Sequence, residues 1–192
     1  MIPAVNSAPY VIPHHVVSKE SSSTTKIRVV FNGSQVDSTG LSLNSRLLCG
    51  TKLQKDLPEI LATFRLYPIA LCADIQKMYR QIEVRPEDRN FQHIFWRPSV
   101  ESELREYELK TVTYGLAPSA FLAIRVLHQL VQDEGQPYPH ASRAILQETY
   151  VDDIISGADD LEAALKFDMT CKVCCALGVL SFGSGLVIFP KH

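Results

Sequence analysis

The stretch that most constrains this sequence is residues 145–156, ILQETYVDDIIS, in which two short apolar runs enclose an Asp-Asp pair. Apolar runs of this length around an acidic turn predict a tight β-hairpin, because Asp suits turn backbone and the runs need a sheet to bury them. A second stretch has matching character. Residues 69–73, IALCA, are continuously apolar, as a strand buried on both faces would be, and the run leads into Asp74. Each segment thus carries a carboxylate to the end of a buried strand. Taken singly, Asp74 reads as a turn former, and so does the Asp152-Asp153 pair.

The remaining pattern supplies partners for these strands. Residues 8–17 read as extended, held by Pro9 and Pro13, and 18–26 as a polar loop. Residues 27–31, IRVVF, form a short β-rich run, and 32–56 look irregular. A helix is predicted from about Asp56, with Pro58 and Glu59 in its first turn, Ile60, Leu61 and Phe64 on one face, and Pro68 closing it. Residues 75–82 begin a helix or turn, and Pro86–Asp88 is a second turn. Residues 91–97 and 105–114 predict a hairpin. Ser119 can cap a helix to about Val131, with Phe121, Leu122, Val126, Leu127 and Leu130 inward. Residues 133–143 read as a loop. Asp160 can cap a helix from Leu161 to Leu177 that Gly178 ends, and 179–189 suggest a further hairpin.

Composition excludes several classes. At 46% apolar and 21% charged, 192 residues can build a core, and the length suits one domain or one and a half subdomains of a larger enzyme. The net charge of −2 gives no support to nucleic-acid binding by charge alone. Cys171 and Cys174 have a metal-like gap, but no second pair or nearby His pair completes four ligands, so the five cysteines read as small core residues of a reduced intracellular protein. No charged start precedes an apolar run near the N-terminus, and no apolar stretch reaches the roughly 20 residues of a membrane span. Asp37-Ser38-Thr39-Gly40 departs from the aspartic protease signature by one inserted residue, and a second half-site is missing.

The acidic residues fit one kind of chemistry. Nucleotidyl transfer needs two divalent ions about 4 Å apart, one at the attacking 3′-hydroxyl and one at the leaving pyrophosphate. Mg²⁺ wants hard oxygen ligands and keeps several waters, so two or three rigidly held carboxylates suffice, however far apart in sequence. Asp74 at a strand end and Asp152 at a hairpin tip meet that demand.

The order of the motifs sharpens this. Ala73-Asp74-Ile75-Gln76-Lys77-Met78-Tyr79 resembles the first catalytic block of reverse transcriptases, an aspartate followed five residues later by an aromatic. Tyr114-Gly115-Leu116-Ala117-Pro118-Ser119 resembles their second block, and Tyr150-Val151-Asp152-Asp153 their Tyr-x-Asp-Asp hairpin. Ile27-Arg28-Val29-Val30-Phe31 resembles the fingers strand whose arginine meets the incoming triphosphate. All four stand in the family's order. Pro13-His14-His15, Ser42-Leu43-Asn44, Leu57-Pro58-Glu59-Ile60-Leu61 and Phe95-Trp96-Arg97 add a resemblance to the BEL/Pao branch of long-terminal-repeat retrotransposons. Together these cover roughly residues 10–160.

The resemblance implies an α+β right-hand polymerase fold: an antiparallel sheet backed by helices, fingers over about 8–70 and palm over about 71–192. It implies an RNA-directed DNA polymerase acting on an RNA or DNA template with a primer and on deoxynucleoside triphosphates. Asp74, Asp152 and Asp153 would be catalytic and hold Mg²⁺, with Mn²⁺ as the alternative ion and the Ile75 carbonyl as an extra ligand. Lys19, Arg28, Tyr79, Gly115 and Tyr150 would bind nucleotide, and the Tyr79 ring would exclude a 2′-hydroxyl by steric clash. An acidic catalytic centre of this kind offsets a basic groove, which accommodates the low net charge. The chain departs from the family at Asn32, where Asp is usual, at Ala120, where Pro is usual, and after Gly178. Thumb, connection and ribonuclease H segments are not read in it. The expectation is therefore a weak or inactive fragment of a retrotransposon polyprotein, cytoplasmic within a virus-like particle and without a membrane anchor. The alternative is a truncated, non-catalytic remnant.

Overall fold

A computed structural model describes residues 1–18, 27–177 and 187–190. In chain order the elements are β1 (Ile2–Pro3), β2 (His14–Ser18), β3 (Ile27–Phe31), α1 (Leu57–Leu66), β4 (Ile69–Asp74), β5 (His93–Trp96), β6 (Arg105–Glu108), α2 (Ser119–Glu134), α3 (Pro139–Gln147), β7 (Thr149–Tyr150), β8 (Asp153–Ala158), α4 (Leu161–Leu177) and β9 (Val187–Pro190). Short 3₁₀ turns span Met78–Gln81 and Pro86–Phe91. The chain divides into two compact units, each built from two stretches: Met1–Gly50 with Ile82–Ala120, and Thr51–Gln81 with Phe121–His192. No described helix is long and apolar enough to cross a membrane.

The first unit holds an antiparallel sheet in the order β1-β6-β5 and a separate antiparallel pair, β2-β3. The expected hairpin of 91–97 and 105–114 forms over a shorter span. Its ladder runs from His93↔Glu108 to Trp96↔Arg105. Past Glu108 the chain is held instead by the buried side chain of Gln92, whose Nε2 donates to the carbonyls of Leu109 (3.2 Å) and Thr111 (3.3 Å). Ile12, Leu43, Ile94 and Leu116 form its core, with Phe31 and Tyr107 among the rings packed on it. Burying such a side chain contributes about 1.5–3 kcal/mol. An imidazole and a guanidinium are also buried here, and both have carboxylate neighbours, as burial of such polar groups requires. His93 Nδ1 lies 2.8 Å from Glu106, and Arg89 lies between Glu83 and Glu108. Asp37 makes a local turn, accepting from the Thr39 N–H at 2.7 Å, with Gly40 at φ +78°, so it is a turn former.

The second unit is organised on a four-stranded antiparallel sheet in the order β7-β8-β4-β9. β4 is an inner strand, paired with β8 from Ile69↔Ala158 to Asp74↔Asp153 and with β9 from Ile69↔Pro190 to Cys72↔Val187. Its centre, Ala70 and Leu71, is buried, while Ile69, Cys72 and Ala73 are half-buried, so full burial on both faces holds only for the middle. Helices α1, α3 and α4 pack on the sheet. α4 begins as expected, with Asp160 Oδ1 accepting the Ala163 N–H at 2.8 Å.

Several expectations are corrected. Residues 139–147 are helical where the sequence suggested loop and then strand; Pro139 stands in the first turn, where its missing N–H costs nothing, and Ala141, Ala144 and Ile145 are buried at helical spacing. The hairpin around Asp152 therefore begins at Thr149, not Ile145. On α2, Leu122 is exposed, and the smaller Ala123, with Ile124, takes the buried face alongside Leu127 and Leu130. Leu61 on α1 is exposed as well, leaving Ile60 as that helix's buried residue. The Ser119 hydroxyl donates to the Thr113 carbonyl at 2.5 Å. Most of the hairpin expected over 179–189 lies outside the described residues; of it, Val187 onward is the strand paired with β4.

Candidate catalytic carboxylate site

Antiparallel pairing sets the candidate site. β4 and β8 run in register so that Asp74 faces Asp153 directly across the ladder. Beyond the ladder the chain is tied once more, because the Ile75 N–H donates to the Asp152 carbonyl at 2.8 Å. Two segments far apart in sequence thus deliver three carboxylates to one sheet end. Asp74 and Asp153 are exposed and Asp152 is half-buried.

The turn between β7 and β8 has Val151 and Asp152 at its centre, flanked by the pair Tyr150↔Asp153. A two-residue hairpin loop needs positive φ at its first central residue to match the strand twist, a place usually given to glycine. Val151 fills it at φ +57°. For a β-branched residue this is strained by about 1–3 kcal/mol, and such a conformation persists only where its surroundings over-determine it.

The electrostatics follow from crowding. The Asp74 carboxyl is pushed above the ordinary carboxylate range, first by partial loss of hydration and then by the charges of Asp152 and Asp153. Asp153 is raised by the same partial burial and by Asp152. The Tyr79 hydroxyl, in the 3₁₀ turn just after Asp74, is raised by burial and then by Asp152. Cys72, two residues before Asp74, is raised by burial and then by Asp153. A cluster in which like charges oppose each other's ionisation is relieved by a bound cation. Among the described residues no three His, Cys, Asp or Glu side chains are gathered into a ready-made metal cage. A Mg²⁺ site of one or two carboxylates completed by water and phosphate does not require one, so the donor set fits the ion.

The other residues singled out by sequence are distributed as follows. Tyr150 is on β7, part-exposed, paired with Asp153. Ile75 is buried, and its carbonyl accepts the Met78 N–H at 3.2 Å. Arg28 lies in the first unit, exposed on β3 opposite Val17. Gly115 also belongs to the first unit. It has φ +90°, and a Cβ there would lie 2.3 Å from the Phe31 carbonyl oxygen, so only glycine fits. Lys19 lies outside the described residues. Sequence reasoning missed Glu148, a buried carboxylate immediately before the hairpin; an acidic residue inside the apolar frame of 145–156 was the one available signal.

No family model matches the sequence, and no curated protein matches it. Among solved structures the chain is similar to the protease-reverse transcriptase of prototype foamy virus. The selenomethionine-labelled CSH mutant of that protein superposes with a TM-score of 0.70 at 14% identity, over 94% of this chain and 21% of that one. The native protein gives 0.66 at 17% identity, over 94% and 20%. This chain spans about one fifth of the length of those proteins. At such identity the likeness is one of fold. The chain has a mixed α and β, reverse transcriptase-like fold with antiparallel sheets.

Proposed function

We propose that this chain is the fingers and palm portion of an RNA-directed DNA polymerase, from a BEL/Pao-type long-terminal-repeat retrotransposon polyprotein. The observation that carries the reading is the pairing of Asp74 with Asp153, locked by the Ile75 N–H on the Asp152 carbonyl, on a reverse transcriptase-like fold. Asp74, Asp152 and Asp153 would hold Mg²⁺ or Mn²⁺, with the Ile75 carbonyl as a further oxygen. When bound, the ions supply activation of a primer 3′-hydroxyl and stabilisation of a leaving pyrophosphate.

The chain's own residues do the rest. Partial burial and like-charge repulsion raise Asp74 and Asp153, and a bound cation offsets that repulsion, which couples ion binding to their charge state. Tyr79 presents a half-buried ring whose hydroxyl feels the charge of Asp152, suited to close on the sugar of an incoming nucleotide and reject a 2′-hydroxyl. Tyr150 stands at the primer end of the turn. Arg28, with Lys19 before it, would pair with triphosphate through its planar fork. Gly115 supplies a backbone turn that can approach substrate closely. The partners are a template with its primer and deoxynucleoside triphosphates, and the setting is the cytoplasmic particle of the parent element.

The test is Mn²⁺ binding and single-nucleotide incorporation by the purified chain, on RNA- and DNA-templated primers. Expected is ion binding that Asp152→Asn weakens at least about tenfold, with slow incorporation that the same substitution abolishes. Ion binding indifferent to Asp152→Asn overturns the reading. Carboxylate-dependent ion binding with no incorporation identifies a non-catalytic remnant.

A further inference from the structure

β7 is two residues long, and its pairs Thr149↔Ile154 and Tyr150↔Asp153 are the whole ladder on that side of the acidic turn. A ladder so short resists slippage weakly, and a slip of one residue would turn every side chain to the opposite face. The strain at Val151 adds to the demand for an external anchor.

Glu148, the residue before β7, is 3% exposed, and its carboxylate is fully engaged. Oε1 accepts from the Tyr67 hydroxyl at 3.0 Å and from Arg143 Nη2 at 2.8 Å. Oε2 accepts from the Ser156 hydroxyl. Arg143 also donates to the Tyr67 hydroxyl, and its guanidinium lies 5.8 Å from the centre of that ring. The donors come from separate elements: Tyr67 closes α1, Arg143 is on α3 and Ser156 is on β8. The Glu148 backbone is tied too, its N–H to the Ala144 carbonyl and its carbonyl to the Ile155 N–H, each at 2.8 Å. Gly157 makes room for the arrangement, since a Cβ there would come within 2.3 Å of the Tyr67 side chain. A buried carboxylate with all its donors in place has one geometry, and losing a donor leaves a charge without a partner.

We infer that Glu148 is a positioning residue for the acidic turn. By bonding Ser156 it fixes where β7 sits on β8, three residues past Asp153 on the same strand, and so sets Asp152 and Asp153 beside Asp74. The inference rests on the ion-holding role proposed above. A merely structural role for Glu148 would lower stability without a specific effect on the ion.

Mn²⁺ binding to the full chain, followed by loss of the free-ion electron paramagnetic resonance signal, separates these. Glu148→Ala is expected to weaken Mn²⁺ binding about tenfold, the size seen when outer partners of metal ligands are removed. Glu148→Gln keeps an oxygen for Tyr67 and Arg143 and is expected to restore most of that loss. Leu130→Ala, which opens a cavity on α2, is expected to lower stability with parent-like Mn²⁺ affinity. A folded Glu148→Ala with parent affinity, or a matching loss in Leu130→Ala, overturns the inference. Should Glu148→Ala fail to fold, Ser156→Ala decides by the same measure: weakened binding supports the inference and unchanged binding overturns it. Asp152→Asn in parallel keeps the two readings apart. Parent-like binding there sinks the ion site itself, and this inference with it.

Discussion

Asp74→Asn should make the chain more stable at neutral pH. Asp74 faces Asp153 directly, and its carboxyl is raised first by partial burial and then by Asp152 and Asp153. Side chains so opposed lie on the order of 5 Å apart, and like charges there cost up to about 1 kcal/mol. Coulomb's law gives about 0.8 kcal/mol for that distance in water and about 3 kcal/mol at an effective dielectric constant near 20. The groups are largely hydrated, so the lower figure governs, and relief of about 1 kcal/mol raises Tm by about 2–4 °C for a chain of this size. The pH dependence has a definite sign. A folded-state pKa above the unfolded one means that the native state binds the extra proton, so stability falls as pH rises through the window between them. The penalty is complete above the raised pKa and absent well below the ordinary carboxylate range. Circular dichroism melts in a chelator should therefore show the gain near pH 7 and none near pH 3. Millimolar Mg²⁺ should narrow the gap by stabilising the parent more than the variant. An equal gain at both pH values, or no gain at pH 7, would refute the repulsion argument.

Three further outcomes are expected. Tyr79→Val should relax discrimination against ribonucleotides by about 10–100-fold, read as a ratio of incorporation efficiencies, and an unchanged ratio would leave Tyr79 a packing residue. Gly115→Ala, which forces a Cβ against the Phe31 carbonyl at φ +90°, should cost about 1–3 kcal/mol or more in urea unfolding, and a parent-like midpoint would contradict the close approach. Gly157→Ala should cost a similar amount, about 1–3 kcal/mol, by displacing the Tyr67 ring, and combining it with Tyr67→Ala should recover part of that loss if the clash is the cause.

What could be read from the sequence was what local pattern encodes. The apolar run into Asp74 and the acidic turn at Asp152 each announce a strand end, and their meeting follows once both strands share a sheet. The Asp160 cap and the Pro58 start of α1 are equally local. α3 was hidden because its leading residues, Gln136-Pro137-Tyr138-Pro139, have turn composition; Pro139 was in fact the start signal of a helix, and the buried Ala141 and Ala144 are too weakly apolar to show a face. Leu122 misled because it is larger than Ala123, although packing favoured the small residue. The Glu148 network could not be read, since Tyr67 is 81 positions away and a charged residue carries no mark of burial. Nor could the backbone of Val151, which runs against the preference of its own side chain.

The inner place of β4 has a consequence for biosynthesis. Asp153, which pairs with Asp74, is 79 residues further along the chain, 153 less 74, and the other neighbour, β9, begins only at Val187. At the usual pace of about 5–20 residues per second, the apolar β4 leaves the ribosome several seconds before either flanking strand exists. During that interval both its edges are open, and an apolar strand with open edges is a template for pairing with other chains. Closing so long a loop is also slow, which makes the sheet a late event in folding. Chains made in quick succession on one message should therefore misassemble through β4 more readily than finished molecules mixed at the same concentration.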